Sequence, residues 1–422
     1  MGNGYVRTTL RGLLAAALFF GLALAGPQDN SLVIASSQEP NVIAGDFLAV
    51  LNNLAVSSEI AGYHDAPLIG LDLSGENFPV LVTELPTVQN GRVKFTDVQG
   101  GKKRLEINLT LKENLKWSDG QALDTDDIAF YYEVGKAPGM PVGNPDYWDR
   151  VGLKVSDKRN FTVTFEPASA VDLIGSPMGL APQHAMRAEW EKAKASVKGL
   201  DLQKDAEKIA EAYRSFFAAF SNPQAINTGR MVYSGPFRVS RWVPGSTLEL
   251  VRNPNFSALT PPGGADKYVQ RVAYRFFKNT NSLLVAVLGG GVDVTSSAGL
   301  DFDQARAPQL VQRAPGRFDI WVVPGAIWEH ILLNNYSNVP RVKELGLDDK
   351  RTRQAIILAM NRQGLVQSFF GGLQPVANTW MPPSYTFYNP KARAYAYNFD
   401  QARQLLSQMG WRPGADGILQ RT

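Results

Sequence analysis

The chain has 422 residues, of which 44% are hydrophobic, 19% charged and 10% aromatic; this composition is typical of globular proteins, and the length predicts more than one hydrophobic core. The net charge is only +4 and the lysine and arginine residues are dispersed, which argues against nucleic acid as the main partner. Because cysteine is absent, disulfide bonds, thiol nucleophiles and iron–sulfur clusters are excluded.

The first 25 residues have the pattern of a signal peptide. Arg7 and Arg11 precede the apolar run GLLAAALFFGLALAG, and Ala23-Leu24-Ala25 fits a small-residue cleavage site. The apolar run is short for a membrane span, and an uncleaved anchor is the alternative interpretation. We therefore expect cleavage after Ala25 and export to the periplasm, without lipid attachment, since a lipoprotein needs a cysteine after the cleavage site.

The segments that follow the signal peptide are predicted to be strands and one long helix. A hydrophobic run predicts a strand that begins at Ser31, and strict alternation of apolar residues predicts strands over Arg104–Lys112 and Asn160–Glu166. An apolar stripe predicts a long amphipathic helix over Asp201–Phe220. GPFRVSRW and STLELV flank the turn residues Pro244-Gly245 and predict a hairpin, after which VAYRFF predicts a further strand.

The stretch LKENLKWSDGQALDTDDIAFYYE, at Leu111–Glu133, predicts the end of a strand, a turn and a capped helix in direct succession. Ser118-Asp119-Gly120 supplies turn residues, with glycine free to adopt a positive φ. Thr125 is predicted to cap the helix, and Asp126 and Asp127 lie in its first turn, where the helix dipole favours negative charge. The acids of this stretch are therefore interpreted as helix caps.

The last third of the chain is predicted to be rich in helix. Helices are predicted over Asn279–Leu288, Asp349–Met360 and Asp400–Met409, and Asn361 is predicted to cap a helix that ends at Gly371-Gly372. The glycine-rich segment GGGVDVTSS is predicted to turn into a short strand. Strands and helices are mixed along the chain without repeats or regular βαβ alternation, which predicts a multi-lobed α/β fold.

The sequence contains no pattern typical of catalysis or of metal binding. His64, His184 and His330 are far apart, and none has a neighbouring residue at metal-ligand spacing. A G-x-S-x-G elbow is absent, and the glycine-rich segment lacks the G-K-[ST] ending of a phosphate loop. We therefore expect no catalytic residue, no metal and no cofactor, and an exported protein that binds a ligand rather than an enzyme.

The stretch at Leu111–Glu133 resembles the signature of the family 5 extracellular solute-binding proteins, the peptide-binding components of ABC importers. Four further blocks are similar to that family and occur in the family order. They are SGPFRVSRWVPGSTLELVRNPNF, the helix and turn at Leu283–Val294, DDKRTRQAIILAMNRQGLVQSFFGG and YNFDQARQLLSQMGW. Most of these blocks are interpreted as scaffold, with Trp117 and Trp242 packing between elements.

The resemblance implies a two-lobed periplasmic-binding-protein fold of type II with an extra subdomain. The implied division is a signal peptide at 1–25, a first lobe at 26–275 with a subdomain inserted at about 63–168, and a second lobe at 276–422. Family chains continue past the block that corresponds to Gly410–Ile418, so the second lobe is expected to be incomplete here. A fragment, a truncated gene product and a separately encoded remainder are the alternatives.

The resemblance also implies which residues face the ligand. The Ser36–Glu39 loop and Ser234-Gly235 match ligand-facing regions of the family, and Trp328 and Asn334 lie in AIWEHILLNN, which resembles a ligand-side strand of the second lobe. Glu39 is predicted either to bind a peptide amine or to be a solvated loop acid. Trp380 is predicted either to stack on the ligand or to pack a loop.

The function that the resemblance implies is capture of small peptides between two lobes and delivery to the permease subunits of an ABC transporter. Binding would favour a closed form that the permease recognises, and the protein is expected to act as a monomer. The alternatives are an oligosaccharide or metal-chelate binder on the same fold, a secreted hydrolase, and a structural envelope protein. Fold resemblance alone does not identify the ligand.

Overall fold

The computed structural model describes residues 30–43, 54–72, 76–259, 269–297, 299–300, 328–372, 374–381, 383 and 388–421, so the predicted signal peptide lies outside the described residues. The described strands are β1 (Ser31–Ser36), β2 (Ile69–Leu71), β3 (Asn77–Pro79), β4 (Val93–Val98), β5 (Lys102–Thr110), β6 (Val151–Val155), β7 (Asn160–Phe165), β8 (Phe237–Val243), β9 (Thr247–Arg252), β10 (Arg271–Phe276), β11 (Val294–Thr295), β12 (Trp411–Pro413) and β13 (Leu419–Arg421).

The described helices alternate with these strands and confirm the predicted mixture of α and β structure. They are α1 (Ala55–His64), α2 (Thr125–Gly135), α3 (Pro145–Arg150), α4 (Gln183–Val197), α5 (Ala206–Ser221), α6 (Pro223–Asn227), α7 (Thr280–Leu288), α8 (Pro340–Leu345), α9 (Lys350–Ala359), α10 (Arg362–Phe370) and α11 (Phe399–Gln408). None of these helices combines the length and the apolar character needed to cross a membrane.

The largest described sheet has five strands in the order β11-β1-β10-β9-β8. Strand β1 pairs in parallel with β10, in a register from Ser31↔Arg271 to Ser36↔Phe276, and in parallel with β11 on its other side. Strands β8, β9 and β10 are antiparallel neighbours. The predicted strand at Ser31, the predicted hairpin and the predicted VAYRFF strand are therefore confirmed.

The two faces of this sheet are covered by different helices, because side chains alternate along each strand. Ile34 and Tyr274 lie in one large core with residues of α1, α4 and α5. Val33 and Ala35 point to the other face and pack against Leu283 and other residues of α7. The sheet is thus buried on both faces along β1, as expected of a strand that pairs in parallel on both sides.

A second described sheet, of four strands in the order β4-β5-β7-β6, has a core of its own. Strands β5 and β7 pair antiparallel and contribute buried alternating residues, namely Leu105, Ile107, Leu109, Phe161, Val163 and Phe165. The strands predicted over Arg104–Lys112 and Asn160–Glu166 are confirmed. Their alternating pattern reflects one face packed on the core and one face turned toward solvent.

The start of α2 is held by a capping box that differs from the prediction in one residue. Asp124, not Thr125, is the N-cap: its carboxylate accepts from the backbone N–H of Asp126 at 2.8 Å, and the Asp127 carboxylate accepts from the N–H of Asp124 at 3.1 Å. The Thr125 hydroxyl instead donates to the carbonyl of Asp157 at 2.7 Å. The prediction of Thr125 failed because Asp124 and Thr125 both have side chains that can cap a helix. Only the contact of Thr125 with Asp157, which the sequence does not show, leaves Asp124 as the cap.

Trp117 is buried, as predicted, and its indole N–H donates to the Asp127 carboxylate at 2.9 Å. The same carboxylate accepts from the backbone N–H of Gln183 at the start of α4, also at 2.9 Å. Burial raises the pKa of Asp127, an effect that these hydrogen bonds oppose. Asp127 therefore joins the Trp117 turn, α2 and α4, which makes it a structural junction as well as a helix cap.

A second junction joins the end of α1 to the segment that precedes β8. The N–H of Gly235 donates to the His64 carbonyl at 2.8 Å, and the Ser234 hydroxyl accepts from the N–H of Ala66 at 2.9 Å. A Cβ added at Gly235 would lie 2.5 Å from the His64 carbonyl carbon and 2.8 Å from the nitrogen of Asp65. Glycine is therefore required here by the close approach of two backbone segments.

The helices of the last third largely confirm their predictions. Asn361 caps α10 by accepting from the N–H of Gly364, and the helix ends at Gly371 in the left-handed conformation.

The predicted helix over Asp201–Phe220 begins five residues late, at Ala206. The reason is local, because the Asp201 carboxylate accepts from the N–H groups of the two residues Gln203 and Lys204 and so holds a turn.

The strand predicted at AIWEHILLNN is wrong for its described part. Residues 328–336 have no regular secondary structure, and the first two residues of the motif lie outside the described residues. Ile331 and Leu332 are exposed, at 65% and 85%. A strand needs a neighbour to satisfy its backbone hydrogen bonds, and none of the described strands pairs with this segment.

We predict that Asp127→Asn destabilises the protein by about 1–3 kcal/mol, because an amide nitrogen cannot accept and one buried donor is left unpaired. The neighbouring Asp126→Asn is a matched control, since the Asp126 carboxylate is half exposed and pairs with Lys158; a change within about 0.5 kcal/mol is expected there. Urea unfolding at neutral pH measures both. Equal losses for the two variants would contradict the role of Asp127 as a junction.

We also predict that Gly235→Ala destabilises by about 1–3 kcal/mol, because the new methyl group overlaps the backbone of His64 and Asp65. Gly62 lies in the adjoining helix α1 and has nothing within 4 Å of an added Cβ. Gly62→Ala is therefore the control and is expected to raise stability by up to about 1 kcal/mol. Thermal unfolding of both variants checks the prediction, which fails if Gly235→Ala melts at the wild-type temperature.

Candidate functional site

The parallel strands β1, β10 and β11 end at one edge of the five-stranded sheet, here called the carboxyl edge. Their last residues are Ser36, Phe276 and Thr295. In open α/β sheets, ligands bind in the crevice outside the carboxyl ends of the strands. The predicted ligand-facing loop Ser36–Glu39 begins where β1 ends, so the structure places this loop at the edge where a ligand site is expected.

The Ser36–Glu39 loop is fixed by its own hydrogen bonds. The Ser36 hydroxyl donates to the Gln38 carbonyl at 2.8 Å and accepts from the Gln38 N–H at 3.2 Å. The Gln38 side-chain oxygen accepts from the N–H of Val56 at 3.1 Å, which satisfies one of the free donors in the first turn of α1. The loop is therefore pre-organised by the strand and helix that it joins.

Glu39 ties this loop to the turn between β8 and β9. Its carboxylate accepts from the Trp242 indole N–H at 3.0 Å and from the N–H of Gly245 at 2.9 and 3.0 Å. The residue is half-buried, and none of the described basic side chains forms an ion pair with it. These bonds give Glu39 a structural role, and Trp242 is buried as predicted. That Glu39 binds a peptide amine stays a prediction.

Glu59, in α1, is an acid of this edge that sequence reasoning missed. Its carboxylate accepts from the Tyr274 hydroxyl at 2.8 Å, and from the backbone N–H and the hydroxyl of Ser297 at 2.9 and 2.7 Å. Burial raises the pKa of the Tyr274 phenol, and the nearby Glu59 charge raises that pKa further. The available signal in the sequence was a single acidic residue in α1, between the buried residues Val56 and Ile60.

The predicted pair Ser234-Gly235 lies at the opposite end of the sheet. Strand β8 begins at Phe237, which pairs with Arg252 at the end of β9. The preceding residue of β9, Val251, pairs with Arg271, the first residue of β10, and Arg271 pairs with Ser31, the first residue of β1. The pair therefore lies at the amino ends of the parallel strands, in the buried junction with His64. The structure does not bring it together with the Ser36–Glu39 loop, and a ligand contact there stays a prediction.

The remaining predicted site residues lie outside the five-stranded sheet. Trp328 is half-buried and contacts the His330 ring, with 3.9 Å between the ring centroids. Asn334 is exposed and accepts from the N–H of Tyr336 at 3.1 Å, and Trp380 is 60% exposed. Among the described residues, no hydrogen bond, ion pair or ring contact joins these three to the carboxyl edge. Their ligand contacts stay predictions.

The surroundings of the three histidines and the polar groups of the carboxyl edge define the chemistry that the described residues offer. Within the part of the chain that the structure describes, no three His, Asp or Glu side chains are placed to hold a metal ion. His64 is buried beside Asp65, His184 contacts Asp119 at 2.8 Å and His330 contacts Trp328. The carboxyl edge presents half-buried carboxylates, hydroxyls and backbone groups, which can orient a polar ligand by hydrogen bonds.

Comparison with known proteins gives the same family as the motifs. Residues 101–421 match the bacterial extracellular solute-binding proteins, family 5 Middle. A protein of Deinococcus radiodurans described as a probable ABC transporter-binding protein is 26% identical over 96% of this chain and 67% of its own length. The oligopeptide-binding protein AppA of Bacillus subtilis is 22% identical over 77% of this chain and 52% of its own length.

The solved structures that resemble this chain include a crystal structure of an oligopeptide-binding protein of Thermus thermophilus complexed with a pentapeptide. That protein is 60% identical, with a TM-score of 0.80, over 94% of this chain and 66% of its own. The chain thus spans about two thirds of the Thermus protein and about half of the Bacillus protein. The predicted mixed α/β fold and the predicted family are confirmed: this chain belongs to family 5 of the bacterial extracellular solute-binding proteins.

Proposed function

We propose that this chain is the substrate-binding component of an ABC importer and captures short peptides. The observation that carries the proposal is the carboxyl edge, where β1, β10 and β11 end beside the half-buried acids Glu39 and Glu59. The proposal is supported by the likeness to the Thermus protein, whose structure contains a pentapeptide. A binding role without catalysis agrees with the family and with the site chemistry described above.

The proposed site suits a ligand that carries many hydrogen-bonding groups along an extended chain. The loop Ser36–Glu39 is fixed by internal bonds, so its remaining polar groups do not need to be ordered when a ligand binds. Peptide backbone supplies a donor and an acceptor at every residue, and side chains can occupy hydrated space without specific contacts. Trp328, Asn334 and Trp380 are proposed to contact the ligand from the second lobe.

The proposal keeps the predicted division of the chain. A first lobe at 26–275 contains an inserted subdomain at about 63–168, and a second lobe begins at 276. Support for the subdomain comes from its separate core under β4, β5, β6 and β7, which also includes residues beyond 168 such as Met178 and Val232. Closure of the two lobes on the ligand would produce the form that permease subunits recognise. A periplasmic, monomeric protein is part of the same proposal.

The first test is peptide binding by the full chain. At a pentaalanine concentration one hundred times the dissociation constant, the free energy of unfolding is expected to rise by about 2.7 kcal/mol, measured as a higher melting temperature. Native mass spectrometry is expected to show one bound peptide. A maltooligosaccharide of similar mass is the control and is expected to leave the melting temperature unchanged. Stabilisation by the sugar alone would overturn the proposal of a peptide ligand.

The second test separates the structural role of Glu39 from the predicted role of binding a peptide amine. We expect Glu39→Gln to lower the stability of the unliganded chain by about 1 kcal/mol, because one oxygen must replace two acceptors for Trp242 and Gly245. Peptide affinity, measured by calorimetry at a temperature where both proteins are folded, is expected to change less than about twofold. Unchanged stability with a large loss of affinity would instead assign Glu39 to the peptide amine.

A further inference from the structure

We propose that a cleft between α4 and α5 binds an amphipathic carboxylate, a small molecule with an apolar body and one acidic group. The cleft has a volume of about 750 Å³, which lies within the range of ligand pockets in proteins. It is lined by the second half of α4, the turn that follows, α5, and the turn at 136–138 after α2. None of its described lining residues belongs to the carboxyl edge, so the inference goes beyond peptide capture.

The first argument is the apolar lining. Trp190 of α4 and Tyr213 of α5 form the floor of the cleft, and their rings are stacked with 5.6 Å between the centroids. The floor is completed by Ile209, which is buried. Leu202, in the turn between the two helices, also lines the cleft and is 54% exposed. An apolar ligand body would remove this exposed surface from water, which favours binding.

The walls of the cleft are fixed in place by contacts within the protein. The Tyr213 hydroxyl donates to the Pro138 carbonyl at 3.2 Å and so ties the turn after α2 to α5. Gly139 has a φ of 76°, and a Cβ added there would lie 2.8 Å from Cγ2 of Ile209, so glycine permits this close approach. On the other side, the Asp201 carboxylate holds the turn that precedes α5. A preformed cleft lowers the entropy cost of binding.

The second argument is charge. The cleft is lined by three lysines, Lys136, Lys194 and Lys198, and by the acids Glu133 and Glu191. Lys194 pairs with both acids, at 2.9 Å in each case. The Lys136 ammonium contacts neutral groups among the described residues, a backbone carbonyl and an aromatic ring. The exposed Lys198 side chain has no hydrogen bond or ion pair within the described part of the chain. Two positive charges at the cleft are therefore uncompensated.

The two acids of the cleft are already engaged and do not favour a cationic ligand. Burial acts to raise the pKa of Glu133, but hydrogen bonds from Lys194, Arg187 and Trp190 hold it at about 2. Arg187 also contacts Glu191, at 3.4 Å. With Arg187 included, four cations face two carboxylates, a surplus of two positive charges.

The turn that carries Leu202 does not reverse this balance. Its acids Asp201 and Asp205 are matched in number by Lys204 and Lys208, and Asp205 pairs with Lys208 at 2.8 Å. Lysine side chains can lie along an apolar surface while their ammonium groups reach a charged partner. The apolar walls and the surplus of lysines together select an amphipathic acid over a neutral or a cationic ligand.

The test compares 1-naphthaleneacetate with its neutral amide, 1-naphthaleneacetamide, on the full chain by calorimetry at pH 7 and low salt. The two compounds share one apolar body and differ in charge. Wild-type protein is expected to bind the acid about fivefold more tightly, the contribution of one well-placed exposed ion pair. In Lys198→Gln this preference is expected to fall to within about twofold. Lys154→Gln is the matched control and is expected to keep it, because Lys154 on β6 is also exposed and has no described ion pair.

A second variant tests the apolar wall. Leu202→Glu is expected to fold, since the side chain is largely exposed, and to weaken binding of both compounds at least threefold. Val171→Glu, at an exposed residue that does not line the cleft, is its control. Saturating pentaalanine is expected to leave binding of the acid unchanged.

Four results would overturn the proposed cleft site. They are no binding of either compound, equal binding of acid and amide by the wild type, unchanged binding in both Lys198→Gln and Leu202→Glu, and displacement of the acid by pentaalanine. The last result would place the acid in the peptide site instead. None of the four contradicts peptide capture, which the melting temperature with pentaalanine tests separately.

Discussion

The parallel pairing of β1 with β10 and β11 is the constraint on which the rest of the described structure depends. It joins the first strand to segments more than two hundred residues later in the chain. Asp293 reinforces it, since its carboxylate accepts from the N–H of Val33 at 2.7 Å while its own N–H donates to the Val33 carbonyl. Without this pairing the strands that end at Ser36, Phe276 and Thr295 would not share one edge, and no site could form there.

Indole-to-carboxylate hydrogen bonds connect the elements around that sheet. Trp117 donates to Asp127, Trp190 to Glu133 and Trp242 to Glu39, at 2.8 to 3.0 Å. Each pair joins segments that no strand pairing connects, and each tryptophan is also a large member of a hydrophobic core. A buried indole N–H usually has an acceptor, and in these three pairs the acceptor is a carboxylate held next to a packed tryptophan. Acids that resemble helix caps or loop acids in the sequence thus acquire a structural partner.

The sequence predicts well what depends on local chemistry and poorly what depends on distant contacts. Alternation in Arg104–Lys112 and the turn at Pro244-Gly245 are local signals, and both predictions are confirmed. The strand predicted around Trp328 depends on a neighbouring strand, and sequence alone does not show whether one is present. The loop Ser36–Glu39, predicted to face the ligand, begins at the carboxyl edge. The position of Ser234-Gly235 at the opposite end of the sheet follows only from the antiparallel register of β8, β9 and β10, which the sequence does not show.

Sequence patterns do not identify Glu59 as a residue of the carboxyl edge. Its helix carries no motif, and its partners Tyr274 and Ser297 lie more than two hundred residues away in sequence. A carboxylate that three neutral donors hold in place is fixed in position but not neutralised. Glu133, by contrast, forms ion pairs with Arg187 and Lys194 of α4. The two acids are both half-buried helix residues, and only the elements packed against them decide whether their partners are charged or neutral. The environment of each acid is therefore a property of the tertiary fold and not of its neighbours in sequence.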